Sequence, residues 1–331
     1  MDHQKWSLRM GAVIIACALV LRLWALGFFQ PLADFLAQPN IASFLIYIET
    51  GRIVRFSSSD GAWPLFALES AIPDFGEEAP PIPVFSPEDG AAVSIKNSSS
   101  RNPDVEALIQ TPLAWNLTGE EPTVLILHTH STESYTKQEG EDYQETSAFR
   151  TLDDRYNMIS IGDYLAELLA AVGIHVIHDR ELHDYPSYNG SYNHARKSMA
   201  QYLEAYPTIQ LVLDLHRDAS GDNTNQMVTS ATVDGKHAAQ IMLVVGTDSS
   251  GLTHPDWEQN LSLALKLHTQ LERTNPGICR YVNLRAQRFN QDKSPGALIV
   301  EIGAAGNTHD EALLATDVLA EAILALARGS Q

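Results

Sequence analysis

Residues 123–127 read TVLIL and lead directly into HTHSTE at residues 128–133. A short, continuous apolar run of this kind is typical of a strand buried in a parallel sheet. In open α/β sheets, ligands bind beyond the carboxyl ends of the strands. The polar residues that follow this strand therefore indicate a functional site.

The rest of residues 117–331 alternates between strand and helix patterns. Apolar runs predict further strands at 174–178, 209–213, 239–246 and 297–302, and apolar residues at helical spacing predict helices at 157–172, 191–205, 256–274 and 310–328. Strands joined by crossover helices form right-handed βαβ units. The pattern therefore predicts an α/β fold, a single domain with a mainly parallel twisted sheet flanked by helices.

The N-terminal third has a different composition. Residues 10–29 read MGAVIIACALVLRLWALGFF, which is long enough to cross a bilayer as one helix. Lys5 and Arg9 precede it, so we expect residues 1–9 in the cytoplasm and the rest of the chain outside. A cleaved signal peptide is the alternative. Residues 30–116, which include AIPDFGEEAPPIPVFSPEDG, are expected to form a juxtamembrane region and a Pro-rich, acidic spacer.

The overall charge and the cysteine count exclude several classes of function. The chain has 331 residues and a formal net charge of -19, which argues against a nucleic-acid partner because phosphate binding needs clustered Lys and Arg. It has only two cysteines, so a Cys-rich zinc module is excluded. Any bound metal must therefore be held by histidine and carboxylate ligands.

Residue types that bind metals follow or interrupt three of the predicted strands. They are His128, His130 and Glu133 after the first strand, Asp214, His216 and Asp218 after the third, and Glu301 within the last. A catalytic zinc takes three protein ligands, and a carboxylate that does not bind the metal acts as general base. We expect Glu301 to be that base. The alternative is a buried Glu301 paired with Arg217 or Arg285.

Two loops carry side chains suited to substrate. Residues 183–192 are rich in tyrosine, which stacks on sugars or peptides, and residues 285–292 carry arginine and amide groups. The residues expected to contact substrate are Arg217, Tyr188, Arg288, Asn290 and Gln291. The alternative is that these loops are ordinary solvated loops.

Six motifs in order resemble the stage II sporulation protein P family, over about residues 120–328. They are HTHSTESY at 128–135, NMISIGDYL at 157–165, HDYPSYNGSY at 183–192, DLHRDA at 214–219, FNQD at 289–292 and LIVEIG at 298–303. The resemblance implies the fold of zinc-dependent N-acetylmuramoyl-L-alanine amidases and cleavage of the amide between the muramic acid lactyl group and the stem peptide. It also implies an endopeptidase activity on peptide cross-links.

The resemblance further implies a cellular setting. The catalytic domain would act on septal peptidoglycan during engulfment, outside the cytoplasm and anchored to the cell membrane by a single span. The implied partners are sporulation protein D, a lytic transglycosylase, and the membrane protein sporulation protein M.

By the same resemblance, His216 and either His128 or His130 match the metal histidines of the family, and Glu301 matches the catalytic glutamate. His130 is slightly favoured over His128, because His130-x-x-Glu133 presents two ligands from one turn.

Related amidases place a carboxylate ligand just before their first helix, where this chain reads DDRYN at residues 153–157 and has no glutamate. The third ligand is therefore open between Glu133, Glu145 and Asp153.

Two other functions remain open on the sequence. One is a non-catalytic wall-binding scaffold that uses the tyrosine-rich loop, and the other is an exported metallo-carboxypeptidase, suggested by His130-x-x-Glu133.

Overall fold

The computed structural model describes residues 82–222 and 225–328. The helices in this part of the chain are α1 Pro87–Ala92, α2 Val105–Leu108, α3 Met158–Ala171, α4 Ser191–Ala205, α5 Trp257–Thr274 and α6 His309–Leu326. The strands are β1 Ile95–Asn97, β2 Val124–Leu127, β3 Glu145–Ser147, β4 Arg150–Thr151, β5 Val176–His178, β6 Leu211–Asp218, β7 Ser230–Val233, β8 Lys236–Ala239, β9 Ile241–Gly246, β10 Val282–Arg285 and β11 Ala297–Ala304.

Seven strands form one central sheet in the order β1-β10-β9-β11-β6-β2-β5. All neighbouring pairs are parallel except β9 and β11, which are antiparallel. The mainly parallel sheet flanked by helices that the sequence predicts is therefore confirmed. The reversal at β9 divides the sheet into two parallel groups of strands, and the carboxyl ends of β2, β6 and β11 share one edge.

The two faces of the sheet are covered differently. Leu213 and Val300 belong to a large apolar core that also includes residues of α3, α5 and α6. Val212 and Ala297 belong to a smaller cluster with residues of α4. Because successive side chains of a strand point to opposite faces, His216 and Glu301 lie on the face that α4 covers.

Local sequence explains where the predicted helices begin and end. The side chain of Asn157 accepts a hydrogen bond from the Ile159 amide and caps α3. Gly173 follows that helix with φ +81°, a conformation that glycine adopts without strain. Thr308 and Glu311 form a capping box at the start of α6.

Residues 82–116, which the sequence assigns to the spacer, are instead part of the folded unit. There β1 pairs with β10 in the central sheet, and Arg273 of α5 forms an ion pair with Asp89. Phe85 and Ile109 are buried in the main core. These apolar residues stand singly among polar ones, so no periodicity reveals them in the sequence, and the folded unit begins before the expected boundary at residue 117.

The predicted membrane anchor at residues 10–29 lies outside the described residues, as do the rest of residues 1–81. Within residues 82–222 and 225–328, no helix combines the length and the apolar character needed to span a bilayer.

Candidate metal centre

The turn after β2 is buried and held in place on several sides. His130 and Glu133 lie within one turn, and the Glu133 amide donates to the His130 carbonyl at 3.2 Å. Glu133 also forms an isolated β-bridge with Arg150. The turn therefore has little freedom to move, and both side chains are directed by the backbone.

Strands β6 and β11 bring the other two predicted catalytic residues side by side. His216 and Glu301 are direct partners in the parallel ladder between these strands. Their side chains therefore lie on the same face of the sheet, next to the turn that follows β2.

His130, Glu133 and His216 form one group. Each offers a ligand atom, and these atoms lie within 4.8 Å of one another. Nδ1 of His130 lies 3.6 Å from Oε1 of Glu133, and Nδ1 of His216 lies 3.5 Å from Oε2. Nε2 of His130 is buried and has no hydrogen-bond partner among the described residues. Two imidazoles, a carboxylate and a buried nitrogen without a partner fit a divalent metal ion.

Two guanidinium groups hold one side of Glu133. Arg150 and Arg217 lie 3.1 Å and 3.3 Å from Oε1 of Glu133. Burial raises the pKa of Glu133, but Arg217 and the neighbouring imidazoles of His130 and His216 outweigh it and hold this pKa well below its usual range. Glu133 is therefore a carboxylate with Oε1 fixed and Oε2 facing His216.

His216 lies between two carboxylates. Nε2 is 2.9 Å from Oδ1 of Asp214, and Nδ1 faces Glu133. Burial lowers the pKa of His216, but Asp214 and Glu133 outweigh it and raise this pKa well above its usual value. In the metal-free protein, the protonated His216 ring therefore partly balances the negative charge of the two buried carboxylates.

Glu301 differs from the other two carboxylates of the site. Its Oε2 has no hydrogen-bond partner among the described residues, and Arg217 forms its ion pair with Glu133 instead. Burial, with a contribution from Glu133, raises the pKa of Glu301 to about 8. A carboxyl group in this state can exchange a proton near neutral pH.

His128 does not belong to this group, although the sequence left it open as a ligand. Successive side chains along β2 point to opposite faces of the sheet, and by this alternation the His128 side chain points toward α3. There Gly162, which has no side chain, leaves room for the imidazole ring. Its Nδ1 lies 3.1 Å from the Leu215 carbonyl oxygen, and its Nε2 lies 2.7 Å from Nε2 of His178. Burial, aided by His178, lowers the pKa of His128 to about 3.

The other two carboxylates left open as third ligand are also elsewhere. Glu145 is exposed on the short hairpin strand β3. Asp153 accepts hydrogen bonds from the guanidinium group of Arg155. Neither belongs to the group formed by His130, Glu133 and His216.

Of the residues expected to contact substrate, two lie at the group. Arg217 contacts Glu133, and the ring of Tyr188 stacks on His130 with centroids 4.6 Å apart. Tyr188 is 56% exposed, so part of its side chain is available to a ligand. Arg150 lies over the same tyrosine ring, 5.0 Å from its centroid.

The remaining three lie in the loop before β11, and their side chains donate to backbone carbonyls of other parts of the fold. Gln291 is buried and donates to the Val244 carbonyl. Asn290 donates to the Tyr192 carbonyl, and Arg288 donates to the Thr253 carbonyl. These contacts position the loop on the face of the sheet that carries the site.

Three residues at the site received no specific role from the sequence: Arg150, Asp214 and Tyr192. Burial, with Asp214 and Glu301 nearby, raises the pKa of Tyr192, and its ring lies edge-on to His130 with centroids 5.6 Å apart. Asp214 stands two residues before His216 in β6, which is the only sequence signal for its place. Arg150 has none, because it reaches Glu133 from a separate hairpin.

Comparison with known proteins identifies the family. The profile of the family described as stage II sporulation protein P (SpoIIP) matches residues 84–324. Stage II sporulation protein P of Bacillus subtilis (strain 168) is 28% identical over 216 residues, which are 62% of this chain and 51% of that protein. The chain thus spans about half the length of this curated relative.

Several solved structures that are partly similar to this chain are named as amidases. An N-acetylmuramoyl-L-alanine amidase of Clostridium difficile 630 is 16% identical, with 62% of this chain and 94% of that chain covered and a TM-score of 0.36. AmiC2 of Nostoc punctiforme is 13% identical, with 62% and 95% covered and a TM-score of 0.36. Likeness at this level carries no argument about activity. The family match covers well over half of the chain and begins within the folded unit, and on that ground the chain belongs to the stage II sporulation protein P family.

Proposed function

We propose that this chain is a zinc-dependent peptidoglycan hydrolase of the N-acetylmuramoyl-L-alanine amidase type that acts in sporulation. The observation that carries the proposal is the buried group of His130, Glu133 and His216, with Glu301 paired beside His216 in the neighbouring strand. Membership of the stage II sporulation protein P family supports the substrate class.

His130, Glu133 and His216 would hold the ion, since they supply two neutral nitrogen ligands and one carboxylate. Bound Zn²⁺ supplies Lewis-acid chemistry to an amide carbonyl. Arg150 and Arg217 keep Oε1 of Glu133 in place, and Oε2 faces Nδ1 of His216.

Glu301 is proposed as the general base and acid. The oxygen of water adds to the lactyl carbonyl carbon, and Glu301 takes the proton that this water loses. The carbon–nitrogen bond then breaks, and Glu301 returns the proton to the nitrogen of the stem peptide. The balance is one water consumed and one carboxylic acid and one amine formed.

Tyr188 is proposed to contact the substrate through the exposed part of its side chain. Stacking of a sugar or peptide group there would place the amide near His130 and Glu301. Arg288, Asn290 and Gln291 bind backbone carbonyls of neighbouring elements, so we assign them a supporting role in which they shape the wall of the site.

The cellular setting is also part of the proposal. We place the folded unit outside the cytoplasm, tethered by residues 10–29 and acting on septal wall. Sporulation protein D and sporulation protein M are the proposed partners.

The test measures bound zinc and wall hydrolysis for the 331-residue chain and five alanine variants. His130→Ala and His216→Ala should lose zinc and activity. His128→Ala should keep zinc, and His175→Ala, which removes an exposed imidazole, is the matched control. Glu301→Ala should keep zinc and release no new amine ends from sacculi.

Different outcomes would support the other two functions. Binding of sacculi that a chelator does not alter, with sub-stoichiometric zinc, would indicate a wall-binding scaffold. Cleavage of free stem peptides at their carboxyl ends, with intact sacculi untouched, would indicate a metallo-carboxypeptidase.

A further inference from the structure

The ring of His216 is engaged at both nitrogens by different carboxylates. Nε2 lies 2.9 Å from Oδ1 of Asp214, at normal hydrogen-bond distance. Nδ1 lies 3.5 Å from Oε2 of Glu133, which is longer than a strong hydrogen bond. The two sides of the ring are therefore not equivalent.

Asp214 is itself held in one orientation. Its Oδ1 accepts from the Thr129 amide at 2.7 Å, and its Oδ2 accepts from the Thr129 hydroxyl at 2.6 Å. The residue is only 3% exposed and lies in the middle of β6, between β2 and β11. Thr129 belongs to the turn that carries His130 and Glu133, so Asp214 connects that turn to His216.

Hydrogen-bond accounting then assigns the two nitrogens. A carboxylate that accepts two hydrogen bonds from Thr129 is an acceptor toward His216 as well, so Nε2 of His216 carries a hydrogen. A nitrogen that carries a hydrogen cannot bind a metal ion. Nδ1, which faces Glu133, is the nitrogen left for a metal.

We propose that Asp214 is a positioning residue that orients His216 and fixes its tautomer, so that His216 binds the metal through Nδ1. This inference rests on the proposed function, because it concerns the same metal site. A hydrogen bond from a ligating histidine to a buried carboxylate holds the ring in place and increases the electron density on the ligating nitrogen.

The fold offers a matched control for this pair. Oδ1 of Asp163 lies 3.0 Å from Nδ1 of His178, on the other side of the sheet. Asp163→Asn removes a carboxylate from an Asp–His pair just as Asp214→Asn does, but it leaves the contacts of His216 unchanged.

The experiment measures zinc affinity by chelator competition for the 331-residue chain and the two variants. Asp214→Asn should bind zinc about 10- to 100-fold more weakly, as expected when the carboxylate behind a ligating histidine is lost. Asp163→Asn should bind zinc with the wild-type affinity. Equal zinc affinity of Asp214→Asn and the wild-type chain overturns the inference and leaves the proposed function standing.

A second measurement uses the wild-type chain, so it does not depend on the folding of any variant. Long-range ¹H–¹⁵N spectra of the zinc-loaded chain with labelled histidines, with His216 assigned from the signal lost in His216→Asn, report which ring nitrogen carries hydrogen. A hydrogen on Nε2 supports the inference, and a hydrogen on Nδ1 overturns it. A wild-type chain that binds no zinc would refute the proposed function itself, and with it this inference.

Discussion

Replacing Glu301 by glutamine should stabilise the metal-free protein while it removes the proposed catalytic proton carrier. Burial raises the pKa of Glu301 from 4.5 to about 8. Between these two values the folded protein keeps the proton and the unfolded chain releases it. The free energy of unfolding therefore falls as pH rises through this window.

The size of the effect follows from the shift. Each pKa unit corresponds to about 1.4 kcal/mol, so the titration of Glu301 lowers the free energy of unfolding by about 2.5 kcal/mol between about pH 5 and about pH 7. Glu301→Gln keeps the shape of the side chain but has no proton to lose. Its stability relative to the wild-type chain should rise by the same amount over this interval.

Denaturant unfolding followed by circular dichroism, with a chelator present, measures this difference at the two pH values. Glu106→Gln is the control, because Glu106 is exposed in α2, and its substitution should change stability by less than about 0.5 kcal/mol at either pH. If wild-type and Glu301→Gln stabilities run parallel between the two pH values, Glu301 is ionised in the folded protein and the reasoning fails.

Three further perturbations test other parts of the fold. Lys266→Met should raise the free energy of unfolding by about 2 kcal/mol below about pH 8, because burial lowers the pKa of Lys266 to about 8. The gain should shrink toward about pH 10, where the unfolded chain also loses this proton. A gain that does not change with pH would contradict this prediction. Gly162→Ala should lower the melting temperature, since the added Cβ would lie 2.5 Å from Nε2 of His128 and closer still to His178. This clash should lower the free energy of unfolding by about 1–3 kcal/mol, and zinc binding should persist. Asn307→Ala should lower the free energy of unfolding, measured with denaturant, by about 2 kcal/mol, because the buried Asn307 side chain accepts hydrogen bonds from the Thr229 and Ala304 amides. A change below about 0.5 kcal/mol would contradict this role.

The strands and helices that were predicted share one property. Each contains an apolar run or a helical period, as in β2, β6 and α5. β1 and β10 are short strands of mixed sequence, and they carry no such signal. Their pairing depends on the rest of the sheet being present.

The sequence pattern also does not predict the direction in which each strand runs in the sheet. β9 reads as a buried strand, but it runs antiparallel to β11 because the chain passes from β6 through the β7–β8 hairpin before it enters the sheet. An apolar run contains no information on which neighbour a strand will choose or in which direction it will pair.

The residue types of the site are properties of the chain itself. The sequence places two histidines and a glutamate directly after β2, a histidine in β6 and a glutamate in β11, and these types at strand ends already indicate metal-dependent chemistry. The choice between His128 and His130 depends on which face of the sheet each side chain points to. Only the folded structure decides that, because the turn after β2 sends His128 toward α3 and His130 toward His216.

The environment of each charge depends entirely on tertiary structure. Arg150 reaches Glu133 from a separate hairpin, and Thr129 of the turn after β2 orients Asp214 beside His216. Glu301 keeps a raised pKa because no cation pairs with its buried oxygen within the described residues. Composition and spacing determine which chemical groups are present. Their protonation and orientation follow from burial and from contacts between residues far apart in sequence, which form only when the sheet is assembled.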